Sequence, residues 1–329
     1  MTIAQAHPLD QPSRTFVRFS LWVMLLALPG LAMAAEPPPI PGLSPTPLAG
    51  RIWDTKAKRL ISADELVGRA LAAGVVILGE THDNPDHHAL QAWMVRRLVA
   101  AGRRPVTALE MVESDHQAAL DANRGDLAGL GSALDWEKRG WPSWALYRPI
   151  AEATLAGNGA LVAGNLPLDS SRQIAKGTPS ADMIARYGLD EPLSPKEEKA
   201  MAADIRDSHC GLMPESAIPA MVQVQRARDA AMAEVVADWA TRPQVGPAVL
   251  IAGSGHARRD RGVPARLQAL VPGVTPLSIA FVEVEADERD PARAARRDDE
   301  TAPFDAVWFT SPAPRDDQWA QLQKQMGKK

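Results

Sequence analysis

The run Val75-Val76-Ile77-Leu78, followed at once by Gly79-Glu80-Thr81-His82-Asp83-Asn84-Pro85-Asp86-His87-His88, limits the possible folds more than any other stretch of this chain. An unbroken valine, isoleucine and leucine run reads as a strand buried on both faces, the habit of parallel sheets. Gly79 stops it. Pro85 then suits the first turn of a helix, with Asn84 as its N-cap. Between strand and helix the chain gathers carboxylates and imidazoles where open α/β sheets bind their ligands, beyond the carboxyl ends of the strands. The cluster reads as a site.

Further apolar runs repeat the pattern. Residues 106–111 contain Glu110, residues 160–164 lead into Asn165-Leu166-Pro167, and residues 247–252 precede Gly253-Ser254-Gly255-His256. Two more strands are expected at 277–284 and 306–309. Between them lie helical patterns, such as residues 85–101 with Leu90, Trp93, Met94 and Leu98 on one face. Strands alternating with helices predict an α/β fold: a mostly parallel sheet covered by helices on both faces. Glu80, Glu110, Asn165 and His256 then fall along one rim. Between residues 179 and 242 the strand signal vanishes, and Ala, Met, Glu and Arg dominate, which predicts a smaller helical subdomain. The α/β domain accordingly spans 51–178 and 243–310. A proline-rich linker covers 35–50, and a loose tail covers 311–329.

Composition narrows the classes. A net charge of −4 without long like-charged blocks argues against a nucleic-acid partner. Arg14 and Arg18 precede an apolar run from Phe19 to Leu28, and Ala32-Met33-Ala34 offers a signal-peptidase site, so residues 1–34 read as a signal peptide. A retained membrane anchor is the alternative, but the run is shorter than the roughly 20 residues a spanning helix needs. Export to the periplasm is therefore expected. No cysteine stands at the end of the run, which argues against lipid anchoring. The single cysteine, Cys210, allows no intrachain disulfide and no thiolate-rich zinc site.

Glu80 and His82 stand two apart past the strand and read as an acid/base pair or metal ligands. The plainer reading is a carboxylate satisfying loop amides with a histidine beside it. Glu110 repeats the Glu80 position on a second strand, and His256 follows a glycine-rich turn able to approach an anion. Of His87 and His88, adjacent on a helix, one is expected to face the cleft and the other solvent. The sequence holds nine tryptophans and only two tyrosines. Tyr147 lies in Trp141-Pro142-Ser143-Trp144-Ala145-Leu146-Tyr147-Arg148-Pro149, where a phenolate could ligate ferric haem, Trp144 face the porphyrin and Arg148 pair a propionate. Packing is the plainer role. No G-x-S-x-G, H-E-x-x-H or Walker motif is present.

Residues 77–88, 108–111, 163–167, 225–233 and the stretch from Gly253 to Pro264 together resemble the ChaN-like haem-binding proteins, part of a superfamily with the erythromycin esterases and the TraB and Tiki proteins. The resemblance covers roughly residues 50–285. It implies an α/β domain with a small helical domain, and exported or lipid-anchored proteins associated with iron regulation that bind haem between two copies of the chain. It also implies a tyrosine as iron ligand. Tyr147 has the matching Trp-x-x-Tyr-x-Pro context; Tyr187, in Ala185-Arg186-Tyr187-Gly188, does not. Haem, a homodimer formed around it and an outer-membrane uptake system are the partners so implied. In the wider superfamily the analogous motifs serve hydrolytic or metal chemistry, which would make Glu80, His82, Glu110 and His256 catalytic.

Overall fold

The computed structural model describes residues 46–209, 211–242, 246–296 and 303–314. The expected signal peptide, the linker up to residue 45, Cys210 and the tail from residue 315 lie outside the described residues. Eight strands are described: β1 Ile52–Asp54, β2 Arg59–Ile61, β3 Val75–Glu80, β4 Val106–Glu113, β5 Ala160–Asn165, β6 Ala248–Gly253, β7 Leu277–Glu283 and β8 Ala306–Thr310. They form one sheet in the order β2-β1-β8-β7-β3-β6-β4-β5. From β8 to β5 every pairing is parallel. The β1–β2 hairpin closes one edge antiparallel.

The helices are α1 Ala63–Ala72, α2 Pro85–Ala100, α3 Gln117–Ala122, α4 Leu130–Ala133, α5 Trp144–Ala156 and α6 Leu168–Ala175. They continue with α7 Ala181–Tyr187, α8 Pro195–Ser208, α9 Ile218–Ala240, α10 Val263–Leu270 and α11 Pro291–Ala294. Strand alternation sorts them into two layers. Val76 and Leu78 meet Leu90, Met94 and Leu98 of α2 and Ile150 of α5 on one face. Val75 and Ile77 meet Met232 and Val236 of α9 and Leu267 of α10 on the other. Each such fully buried side chain stabilises the fold by about 1.5–3 kcal/mol. Both faces are therefore dry, which is why β3 carries no polar residue before its tip.

The order of insertion builds the rim. The chain lays down β3, then β4 and β5 to one side, and later threads β6 between β3 and β4. Glu80 pairs in register with Gly253, so the tips of β3, β6 and β4 stand side by side. Gly79 is glycine for want of room. A Cβ there would sit 2.7 Å from the Ala257 Cβ, because the turn after β6 crosses it.

The helical stretch differs from expectation in one respect. The first half of α9 packs against α6, α7 and α8 through Val222, Val224 and Ala227, while its second half, Met232 to Ala237, lies on the sheet. One helix serves both layers, because its apolar surface changes partner midway.

Candidate functional site

Two buried carboxylates organise the rim. Glu80, 2% exposed at the end of β3, accepts hydrogen bonds from the Tyr147 hydroxyl at 2.9 Å and His82 Nδ1 at 2.9 Å on the same oxygen. Its other oxygen lies 3.0 Å from His88 Nδ1 in an ionic contact without hydrogen-bond geometry. Gln91 fixes the state of His88. Its Nε2 donates to the Leu78 carbonyl, so its Oε1 faces His88 Nδ1 at 3.1 Å. His88 Nε2 points at the His82 carbonyl at 2.8 Å. Both ring nitrogens meet only acceptors, and two N–H bonds are required. His88 is an imidazolium. Burial opposes its charge, yet Glu80 outweighs burial and raises its pKa. Burial likewise favours a neutral Glu80, but His88 and His82 hold it well below the usual carboxylate range.

Glu110 repeats the arrangement on β4. Its Oε2 accepts from the Gly253 amide at 2.7 Å, and its Oε1 accepts from Arg228 Nη2 at 2.7 Å. His256 Nε2 lies 3.3 Å from the same Oε1, while its Nδ1 lies 2.7 Å from Asp229 Oδ1. His256 is thus clamped between two carboxylates. Against the cost of burial they push its pKa up to about 9. Burial raises Asp229, although His256 opposes it. Glu110 is held low by His256 and Arg228 in spite of burial. Asn165 completes the rim by donating to the Glu110 backbone carbonyl at 2.9 Å.

His82 joins the two halves. A Cβ on Gly253 would lie 3.1 Å from His82 Nε2 and 3.6 Å from Glu110 Oε2, so the missing side chain makes room for the imidazole. Trp141 covers its other flank, ring edge to face, with centroids 5.2 Å apart. The His82 side chain is 34% exposed, and its Nε2 has no hydrogen-bond partner among the described residues. Burial lowers its proton affinity, but Glu110 and Glu80 together raise it above the ordinary value. A carboxylate on Nδ1 and an open Nε2 are the components of a general base.

The expected residues divide accordingly. Glu80, His82, Glu110, Asn165 and His256 come together at one rim. The segment around Tyr147 does not present itself as expected. Tyr147 is 1% exposed, its ring tilted against those of Trp136 and His88, and its hydroxyl donates to Glu80. Burial and the neighbouring Glu80 push its pKa far up, so a phenolate is disfavoured here. Trp144 is buried in the core with its Nε1 bound to the Leu127 carbonyl, and Arg148 is exposed beside Glu152 on its own helix. The Tyr147 hydroxyl is therefore engaged as a donor to Glu80 rather than held as a phenolate.

His87 and His88 are both buried, against the expectation of one in solvent. His87 Nδ1 accepts from the Thr81 amide at 2.9 Å, and Nε2 reaches Thr310 Oγ1 at 2.8 Å. Sequence reasoning left open which of His87 and His88 faces the cleft, and it missed Arg228 and Asp229 as site groups. The signal for the last two was a charged pair amid the small residues of Ala227 to Ala233, where a helix must approach another backbone closely.

Fold and rim define an α/β protein with a network of buried carboxylates and imidazoliums at its strand tips. A family model described as haem-binding uptake, Tiki superfamily, ChaN matches residues 66–267, more than half of the chain, and the chain belongs to that family. Among solved structures it is similar to one described as cofacial heme binding to ChaN of Campylobacter jejuni, at 23% identity, 78% coverage of this chain, 95% of that one and a TM-score of 0.61. A more distant similarity, at 17% identity and a TM-score of 0.41, covers 84% of this chain and 86% of an erythromycin esterase, EreC, in its open conformation. No curated protein sequence matches the chain.

Proposed function

We propose that this chain is an exported haem-binding protein taking part in haem and iron acquisition. The match to the haem-binding ChaN family over residues 66–267 carries the reading. The charged amino-terminal segment with its apolar run and Ala32-Met33-Ala34 supports export to the periplasm. The Campylobacter relative is described as binding heme cofacially, and haem shared between two copies, passed on to an outer-membrane uptake system, is the assembly this reading implies. An axial role for Tyr147 requires α5 to release it from Glu80. In the arrangement described, that hydroxyl is a proton donor to Glu80. Titration of the purified mature chain with ferric hemin tests the proposal. Saturable absorbance changes are expected, and a flat titration refutes haem binding.

A second reading rests on one observation, the Glu80–His82 pair with an open, partly exposed Nε2. In hydrolysis His82 takes a proton from water as the hydroxide attacks an ester carbonyl, then returns it to the leaving alkoxide. Arg228 stands ready to balance negative charge. Ester turnover abolished by both His82→Ala and Glu80→Gln supports this reading. Absence of turnover in the wild-type chain across an ester panel, or metal content unchanged in both variants, removes the hydrolytic and the metal version respectively.

A further inference from the structure

Arg226 and Arg228 stand two positions apart on α9, so the helix turns them to opposite sides. Arg228 reaches the rim and pairs with Glu110. Arg226 turns to the loop after α7. It is 3% exposed, and its guanidinium donates to the Gly188 carbonyl at 2.7 Å, the Glu191 carbonyl at 2.8 Å, Gln223 Oε1 at 3.0 Å and the Leu189 carbonyl at 3.4 Å. All of these acceptors are neutral. Among the described residues no carboxylate accepts from Arg226, and its Nε has no hydrogen-bond partner. Buried charges are ordinarily paired, and burial opposes this one.

Arg226 forms part of the wall of a cavity of about 550 Å³ between α8, α9 and the loop from Leu189 to Leu193. That volume falls within the range of small-molecule sites, about 300–1,000 Å³. Leu189, Leu193, Ala202, Ile218 and Val222 give it an apolar lining. The carboxylates around it are of two kinds. Glu215 is taken by Arg206 at 2.7 and 2.8 Å, and Glu191 by Arg266 at 3.2 Å. Asp190 and Glu198 stand exposed and leave negative charge at the mouth. A buried cation, an apolar wall and an acidic mouth thus follow one another through the cavity.

We propose that this cavity binds a short apolar peptide by its free termini, with the terminal carboxylate at Arg226 and the terminal ammonium at Asp190 and Glu198. The carboxylate supplies the countercharge that Arg226 lacks, through a charge-assisted hydrogen bond. Apolar side chains of the peptide lie against Leu193, Ile218 and Val222. A neutral amphiphile leaves the guanidinium uncompensated. A fatty acid compensates it but leaves the acidic mouth unmatched, so charge complementarity selects the zwitterion. No residue of the rim takes part, and the inference stands apart from the haem and hydrolase readings.

The test is isothermal titration calorimetry of the mature chain with the tripeptide Ala-Leu-Leu, its carboxyl-terminal amide, its N-acetyl form and octanoate. The free tripeptide should bind saturably. The amide, which cannot compensate Arg226, should bind about ten-fold more weakly or worse, and the N-acetyl form should also lose affinity. These ligand changes leave the protein intact, so loss of the fold cannot imitate them. Ala202→Phe, which adds bulk to the cavity wall from α8, should weaken the tripeptide about ten-fold with circular dichroism unchanged. No saturable binding of the tripeptide, equal affinity for acid and amide, tighter binding of octanoate, or wild-type affinity in Ala202→Phe overturns the inference.

Discussion

Replacing His256 by Asn removes the cation between Glu110 and Asp229, and its cost should depend on pH in a defined direction. The folded pKa of His256 is about 9 against an ordinary value of 6.5. Each tenfold change in proton affinity is worth about 1.4 kcal/mol, so the raised value stabilises the folded protein by about 3 kcal/mol while the ring is charged. A histidine with a raised folded pKa contributes fully below pH 6.5 and loses that contribution as pH rises through about 9. His82 and His88 are shifted in the same direction and add to the wild-type trend, so the difference between wild type and variant reports His256 together with the two carboxylates it faces. At pH 6, His256→Asn leaves two buried carboxylates facing each other, and breaking such a pair costs about 3–5 kcal/mol. By pH 9.5 that difference should shrink by about 3 kcal/mol. Urea denaturation followed by tryptophan fluorescence at several pH values measures it. A difference that stays constant from pH 6 to 9.5, or widens, refutes the assignment of His256 as a buried imidazolium.

Glu80→Gln should destabilise the protein by about 3–5 kcal/mol at pH 7, because the buried His88 charge then loses its counterion; a loss below about 1 kcal/mol in chemical denaturation contradicts the ion pair. Asp86 is a buried acid whose pKa burial and the nearby Glu283 raise to about 6. An acid raised in this way stabilises the fold at low pH and loses that contribution as pH rises through 6, so Asp86→Asn should gain about 1–3 kcal/mol at pH 8 and little at pH 4. Equal effects at both pH values argue against it. Gly79→Ala drives a Cβ to 2.7 Å from the Ala257 Cβ and should cost about 1–3 kcal/mol, read as a lower melting temperature; an unchanged melting point contradicts the close crossing after β6.

The sheet was legible because both faces of β3 are covered: a strand with no solvent side shows an unbroken apolar run, and its end shows as a sudden polar tip. The same reasoning placed Glu80, Glu110, Asn165 and His256 at one rim before the strand order was known. Strand order itself carries no local signal, since threading β6 between β3 and β4 is a long-range choice. His88 was not separable from His87, because its partner Glu80 lies eight positions earlier, across a turn whose path the residues alone do not specify. Arg228 and Asp229 were hidden by the helical spacing around them, which fits ordinary packing as well as it fits a site. The company of Tyr147 does not by itself sort packing from haem binding. Tryptophans that suit a porphyrin face suit a dry core equally, and Trp136 and Trp144 occupy the core.

The most direct test reads the ring nitrogens of the histidines by NMR in the mature chain, because the rim holds His88 and His256 against Glu80, Glu110 and Asp229. His88 Nδ1 and Nε2 both face acceptors, and the pKa of His256 is pushed up to about 9, so both rings should show the imidazolium pattern at about pH 7.5. A neutral-ring pattern for both at that pH would contradict the buried charge network.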